Sequence, residues 1–428
     1  MKFDPVQLAL LIVTAATAAI WVAAVVRHRR GRRVRRRVDA SALPLLAGAA
    51  TVAASLGLLR VAGPLTPGDV LLVGFVAAVV AVRVRREERL SPLPQEITLF
   101  LAGLAVFFAG GAIAELFGAE PSFVEYTRAL IGAGVPLLAW LVWRPRWDQV
   151  VFASGAAVVL TVVHILYAIP FQEEGRRLLG WASQYNHFAT AAMLLVPAAV
   201  LLAVIARSRP ARLGWTAAFV VLAVGIVLSG SRAALGGLLV FGALGVVLWF
   251  RSRTVIAAPL ALLLLAGSYV AFINVASESL VEYNAVTRAL GLHESGALSD
   301  QTRDVLVDDA WSRVTERPAI GTGFARTANV HNIYLQAWDV AGALGLLGLA
   351  VMTLAAVLMG VRARRRQAGE IVPAVGLVAF FAHMNFNNSF WDRYMWLSIG
   401  LMLATYCASR VRRSDHLLEH NTEQVRVS

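Results

Sequence analysis

The sequence predicts an all-α, polytopic bundle of about 12–13 transmembrane helices with one long, partly helical outer loop. Three observations carry that expectation. First, 58% of the 428 residues are hydrophobic and only 15% are charged, where a soluble domain would carry roughly 25% charged. Second, the charges fall in short clusters separated by apolar runs of ~20 residues, each long enough to cross ~30 Å of hydrocarbon as a helix. Third, the connecting segments alternate between strongly basic and charge-poor, the pattern that sets topology in a bilayer. No strand-length alternating segments with turn punctuation occur, so a β-barrel is not expected.

In chain order the spans are expected near 8–26, 40–61, 69–82, 96–115, 127–143, 149–169, 186–206, 213–229, 233–250, 254–273, 334–360, 371–388 and 393–409. The third is short and could be tilted or re-entrant. The opening apolar run has no charged leader and no small-residue cleavage site, and Trp21 and an arginine block follow it. It reads as a retained span. Transmembrane helices thus occupy 1–273 and 334–409, divided by a loop over 274–333. A polar tail, 410–428, is expected to be disordered.

The basic segments are 27–37, 83–89, 144–146, 207–212, 251–253, 362–366 and 410–413. The charge-poor ones are 62–68, 115–128, 170–185, 229–232, 274–333 and 387–392. Basic segments stay cytoplasmic, so the pattern puts the N-terminus and the long loop outside and the C-terminus inside. An even count with both ends inside follows if the first or third span is misread. The net charge of +13 is accounted for by these topogenic runs, and no nucleic-acid partner is expected. The single cysteine, Cys407, lies in a span and excludes an intrachain disulfide and a cysteine-based metal site.

Within the long loop, Ser299 or Asp300 can cap a helix beginning at Gln301. Val307, Ala310 and Val314 recur on one face of it. Pro318 ends it, and Gly321-Thr322-Gly323 forms a turn.

Several polar residues sit where a membrane surface is expected. Arg232, in the break Leu228-Ser229-Gly230-Ser231-Arg232, either binds an anion such as phosphate through its planar fork or snorkels as an anchor. Ser231 and Gly230 supply hydroxyl and backbone donors beside it. Arg303, in the first turn of the loop helix, either faces an anion held at the helix N-terminus or pairs with Asp300, Asp304 or Glu282. His331 can accept a hydroxyl proton near neutral pH or is an interfacial polar residue. Asn332 either fixes its ring or binds a sugar hydroxyl, and Tyr334 suits an aromatic belt. Asn186 and His187 open a span at the same surface, with His187 a second base or a polar residue of the helix start. His164, His383 and Asn385 suit helix–helix hydrogen bonding. Glu173-Glu174 and Asp308-Asp309 are paired carboxylates, but neighbours on a helix diverge, so no metal site is expected. Without a Walker-type loop or a GxGxxG after a strand, no nucleotide cofactor is expected either.

These elements occur in a familiar order. Asn186-His187-Phe188-Ala189, Gly230-Ser231-Arg232, Arg303 followed by Trp311, Pro318 and Gly321-Thr322-Gly323, then His331-Asn332-Ile333-Tyr334-Leu335 and a glycine-rich span resemble the O-antigen ligase and O-antigen polymerase superfamily of bacterial membrane glycosyltransferases. The resemblance covers about residues 150–400, and its most specific part is His-Asn-x-Tyr-Leu after a long outer loop. It implies metal-independent, cofactor-free transfer of a saccharide from an undecaprenyl-diphosphate carrier to a lipid or glycan acceptor at the bacterial plasma membrane. By motif, Arg232 and Arg303 would bind the donor diphosphate, with Ser231, Asn186, Asn332 and Tyr334 lining the substrate site. His331 would be the base or orient the acceptor hydroxyl. A transporter or flippase of lipid-linked or small anionic substrates is the rival from another class.

Overall fold

In the computed structural model, the described residues are 39–56, 66–86, 92–171, 177–182, 184–249, 284–289, 294–325, 330–364, 367–386 and 392–427. Every regular element among them is helical. They are α1 (Asp39–Ala53), α2 (Pro67–Arg86), α3 (Gln95–Phe117), α4 (Phe123–Trp143), α5 (Trp147–Ala168), α6 (Tyr185–Ile205), α7 (Arg209–Leu228), α8 (Arg232–Trp249), α9 (Ala285–Ala289), α10 (Glu294–Glu316), α11 (Ile333–Ala363), α12 (Ala368–His383) and α13 (Arg393–Val427). Eight of the described helices are long and apolar enough to cross a membrane. The expected spans at 8–26 and 254–273 lie outside the described residues.

Three expectations about element boundaries need correction. The third span is not short, because α2 runs for 20 residues. The tail expected to be disordered instead continues α13 to Val427. The third correction concerns α11, whose backbone leaves the helical region at Gly342, with φ 63° and ψ −160°. Tyr334 Oη and Thr353 Oγ1 lie 2.8 Å apart, although nineteen residues of straight helix would separate them by ~28 Å. The chain therefore doubles back at Gly342, and α11 is a hairpin of two limbs, 333–341 and 343–363. A Cβ on Gly342 would meet Ala319 O at 2.3 Å, so both the backbone angle and the packing require glycine there.

α3 packs along this hairpin by backbone contact. A Cβ on Gly103 would lie 2.6 Å from Gly348 O, and one on Gly348 2.5 Å from Gly103 O. Such small-residue contacts let membrane helices approach closely where no hydrophobic force draws them together. Around it, large side chains fill the interior, among them Trp140, Trp143, Phe75 and Trp396, each fully buried.

Among the described residues, helix ends near the basic segments meet one another, and helix ends near the charge-poor segments meet one another, at two different ends of the bundle. At one end, Arg362 and Arg410 both reach Glu96, at 2.9 and 3.1 Å, and Arg413 reaches Glu370 at 2.9 Å. Arg83 there donates to Trp143 O at 3.2 Å, over the end of α4. At the other end, Glu120 N donates to Thr322 O at 2.7 Å, Phe324 N donates to Glu115 Oε1 at 2.6 Å, and Arg393 pairs with Asp69. In each of these contacts a residue in or near a segment of one class meets a residue in or near a segment of the same class.

Candidate functional site

The charge-poor end holds a cluster of cationic side chains drawn from four places in the sequence. Its centre is the Ser229-Gly230-Ser231 turn between α7 and α8. Gly230 adopts φ +68°, and Ser231 Oγ accepts from Ala234 N at 3.4 Å, a weak N-cap for α8. Arg232 is the first residue of α8.

The loop before α6 lies against this turn. His164 Nε2 accepts from Trp181 N at 2.9 Å, and the two rings stack at 5.5 Å. Leu178 is buried, and its N–H donates to Leu228 O at 3.1 Å. The loop is thereby held so that Arg177 Nε donates to Ser229 O at 2.6 Å and Arg177 Nη2 to Asn186 Oδ1 at 3.2 Å. The guanidinium also lies over the Tyr185 ring, 4.7 Å from its centroid, a cation–π contact. From the long loop, Asn284 caps α9 through Val286 N and Thr287 N. This presents Arg288, whose Nη1 donates to Gly230 O at 2.6 Å.

Arg232, Arg288 and Arg303 all act electrostatically on Arg177, and Arg303 acts on His331 as well. Burial first, and these neighbouring cations next, push Arg177 down to about 9, only partly countered by Tyr185. His331 is pushed down to about 4, mainly by burial and further by Arg303. Its imidazole is neutral at neutral pH. Its Nδ1 is buried with no hydrogen-bond partner among the described residues.

The three residues expected to carry chemistry, Arg232, Arg303 and His331, thus belong to one electrostatic neighbourhood. Two details differ from expectation. Arg303 is not in the first turn of its helix, because α10 begins at Glu294 and not at Gln301. The helix N-terminus therefore does not share a ligand with it. What orients Arg303 is the inward face it shares with half-buried Val307 and buried Ala310 and Val314. His331 also lies away from the Gly342 corner, just before the first limb of the hairpin. The Tyr334–Thr353 contact sets this part of the chain roughly 10–15 Å beneath the Gly342 corner, counted as residues of helix 343–353.

The other expected site residues take structural positions. Asn332 is the N-cap of α11, its Oδ1 accepting from Tyr334 N at 3.0 Å and Leu335 N at 3.1 Å. The Tyr334 hydroxyl lies 2.8 Å from Thr353 Oγ1 on the second limb. Asn186 receives Arg177. His187 Nε2 lies 3.3 Å from Asp392 Oδ2, its ring beside Tyr394. His383 Nε2 and Thr190 Oγ1 lie 3.1 Å apart, a bond between helices. Asn385 donates to Phe381 O and Ala382 O within its own turn. Asp308 and Asp309 are both exposed, and Asp309 pairs with Arg313 along the helix. Glu173-Glu174 lies outside the described residues. Among the described residues no group of three His, Cys, Asp or Glu side chains could hold a metal ion.

Sequence reasoning missed four participants. Arg177 and Arg288 are counterbalanced in sequence by nearby acids, so their segments look merely charge-poor. The available signal was an arginine on the side where topology does not require one. The other two, Arg313 and Asp339, form a buried pair. Arg313 Nη2 donates to Asp339 Oδ2 at 2.7 Å, and Thr322 Oγ1 donates to Asp339 Oδ1 at 3.1 Å. No protein-family model and no curated protein matches this chain.

Proposed function

We propose that this protein is a membrane glycosyltransferase that moves a saccharide from an undecaprenyl-diphosphate carrier to a lipid or glycan acceptor, as the family it resembles does. The observation that supports this reading best is the shared electrostatic neighbourhood of Arg232, Arg303 and His331 at the end of the bundle opposite the arginine-rich segments. With those segments cytoplasmic, the site opens on the outer face of the bacterial plasma membrane and the C-terminus lies inside.

In this reading the carrier's tail lies between helices and its diphosphate meets the guanidinium groups, which recognise phosphate through a planar fork. The acceptor hydroxyl oxygen attacks the anomeric carbon. The bond from that carbon to the diphosphate oxygen breaks, and the electron pair leaves with the diphosphate. Arg232 and Arg303 offset the charge that develops there. The hydroxyl proton passes to His331. A proton acceptor works best with a pKa near the operating pH, and about 4 is low for that task. A bound diphosphate beside Arg303 offsets the cation that contributes to the depression, and so raises the basicity of His331 when substrate is present. The carrier ester is already activated, so no cofactor and no separate energy source is required.

The test is reconstitution of the purified protein with a defined undecaprenyl-diphosphate glycan and a scan of acceptors. Arg232→Ala, Arg303→Ala and His331→Ala are each expected to lose transfer while still folding and inserting. Wild-type turnover by any one of them removes that residue from the site. The depth of His331 beneath the corner favours a second reading, a transporter or flippase of lipid-linked or small anionic substrates. That reading predicts movement across a sealed vesicle with no new glycosidic bond.

A further inference from the structure

The turn at the centre of the site joins two helix ends of opposite polarity. α7 ends there, so its last carbonyls carry the negative end of a helix dipole. α8 begins there and contributes the positive end of its dipole and the cationic Arg232. An anion approaching the junction would meet repulsion from one helix and attraction from the other.

The carbonyls on the α7 side are occupied. Leu228 O accepts from Leu178 N at 3.1 Å, Ser229 O accepts from Arg177 Nε at 2.6 Å, and Gly230 O accepts from Arg288 Nη1 at 2.6 Å. Two guanidinium groups from distant segments thus lie on successive carbonyls of one turn. Arg177 is oriented in turn by Asn186 Oδ1 and the Tyr185 ring. Arg288 is held on a helix capped by Asn284.

We propose that Arg177 and Arg288 are positioning residues of the anion site: they cover the C-cap carbonyl of α7 at Ser229 and the next carbonyl of the turn at Gly230, and fix the turn, so that an anionic ligand meets only Arg232 and the start of α8. This rests on the reading that the site takes a diphosphate, and it adds to that reading two residues and a reason for them. It also gives Asn186 a task, that of orienting Arg177. A general attraction of positive charge would be served equally by lysine. Masking is not, because an ammonium cannot reproduce a fork that binds a carbonyl and an amide oxygen together.

The experiment titrates farnesyl diphosphate, a short isoprenyl diphosphate, into the detergent-solubilised full-length protein at two salt concentrations, by calorimetry. Arg177→Lys and Arg288→Lys are each expected to bind about tenfold more weakly than wild type, the size of one lost charge-assisted hydrogen bond. Their salt dependence should match wild type, since the charge is kept. Asn186→Leu, which removes only an acceptor of Arg177, should shift affinity in the same direction. Wild-type affinity in both lysine variants overturns the positioning role and leaves the diphosphate site standing. Weakening that only tracks loss of folded protein, read by thermal melting of the same samples, also overturns it. A folded wild-type protein that binds no farnesyl diphosphate sinks the site itself, and this inference with it.

Discussion

Arg313 on α10 grips Asp339 on the first limb of the re-entrant hairpin, with Nη2 2.7 Å and Nε 3.1 Å from Asp339 Oδ2. The Asp339 side chain is 1% exposed and that of Arg313 10%. The pair ties the long loop, which carries Arg303, to the limb 333–341, just after His331. The carboxylates of Asp339 and Asp309 hold the guanidinium well above its ordinary pKa, so it stays charged at any working pH.

Removing Asp339 leaves the buried guanidinium with Asp309 alone, and Asp339→Ala is expected to cost about 3 kcal/mol. Thermal melting in detergent would show it. Replacing both residues with apolar ones, Arg313→Met with Asp339→Leu, should restore much of the stability. A double variant no better than Asp339→Ala would mean that the Thr322 contacts, not the buried charge, dominate.

The Gly342 corner gives a second prediction. Gly342→Ala introduces a Cβ 2.3 Å from Ala319 O at φ +63°, so the hairpin cannot form unstrained. We expect poor insertion and a large loss of folded protein. Gly242→Ala, at a helical site where a Cβ meets nothing within 4 Å, should be neutral or slightly stabilising. Equal yields for the two variants would contradict the sharp reversal.

A third prediction concerns pH. The folded protein holds His331 near 4, against an unperturbed 6.5. Between those values the unfolded chain binds the proton that the folded one refuses. Stability from this group is therefore complete above about 6.5 and is lost as pH falls toward about 4. Arg303→Gln removes the cation but not the burial, so the His331 pKa should rise part of the way toward its ordinary value. Titration of the imidazole signal by NMR in selectively labelled protein would measure it. An unchanged or lower value would place Arg303 away from His331.

A fourth follows from the proposed chemistry. If guanidinium groups offset the charge on the leaving diphosphate, transfer should continue in excess chelator. Complete loss that magnesium or manganese restores would assign that task to a metal ion instead.

Much of the helix layout was legible because it follows from one-dimensional physics. A run near α5 must satisfy its own backbone in lipid, and the arginines at 144–146 and 207–212 mark which loops share a side. The same logic flagged Arg232 and His331, polar residues at breaks in apolar runs. It failed where partners are distant in sequence. Nothing near residue 177 announces that its guanidinium lies on Ser229, and nothing near Asn332 separates a sugar ligand from an N-cap until Tyr334 N and Leu335 N are seen to point at it.

The sequence by itself determined that the chain is a many-helix bundle and that its polar break residues fall on the charge-poor side, because hydrocarbon thickness and loop charge act locally along a chain. Only the tertiary structure decided that α11 reverses at Gly342, that His331 is sunk beneath the corner, and that Arg177 and Arg288 converge with Arg232 and Arg303. Those depend on side chains far apart in sequence meeting in space, where a single positive φ or one shared carbonyl outweighs any local preference.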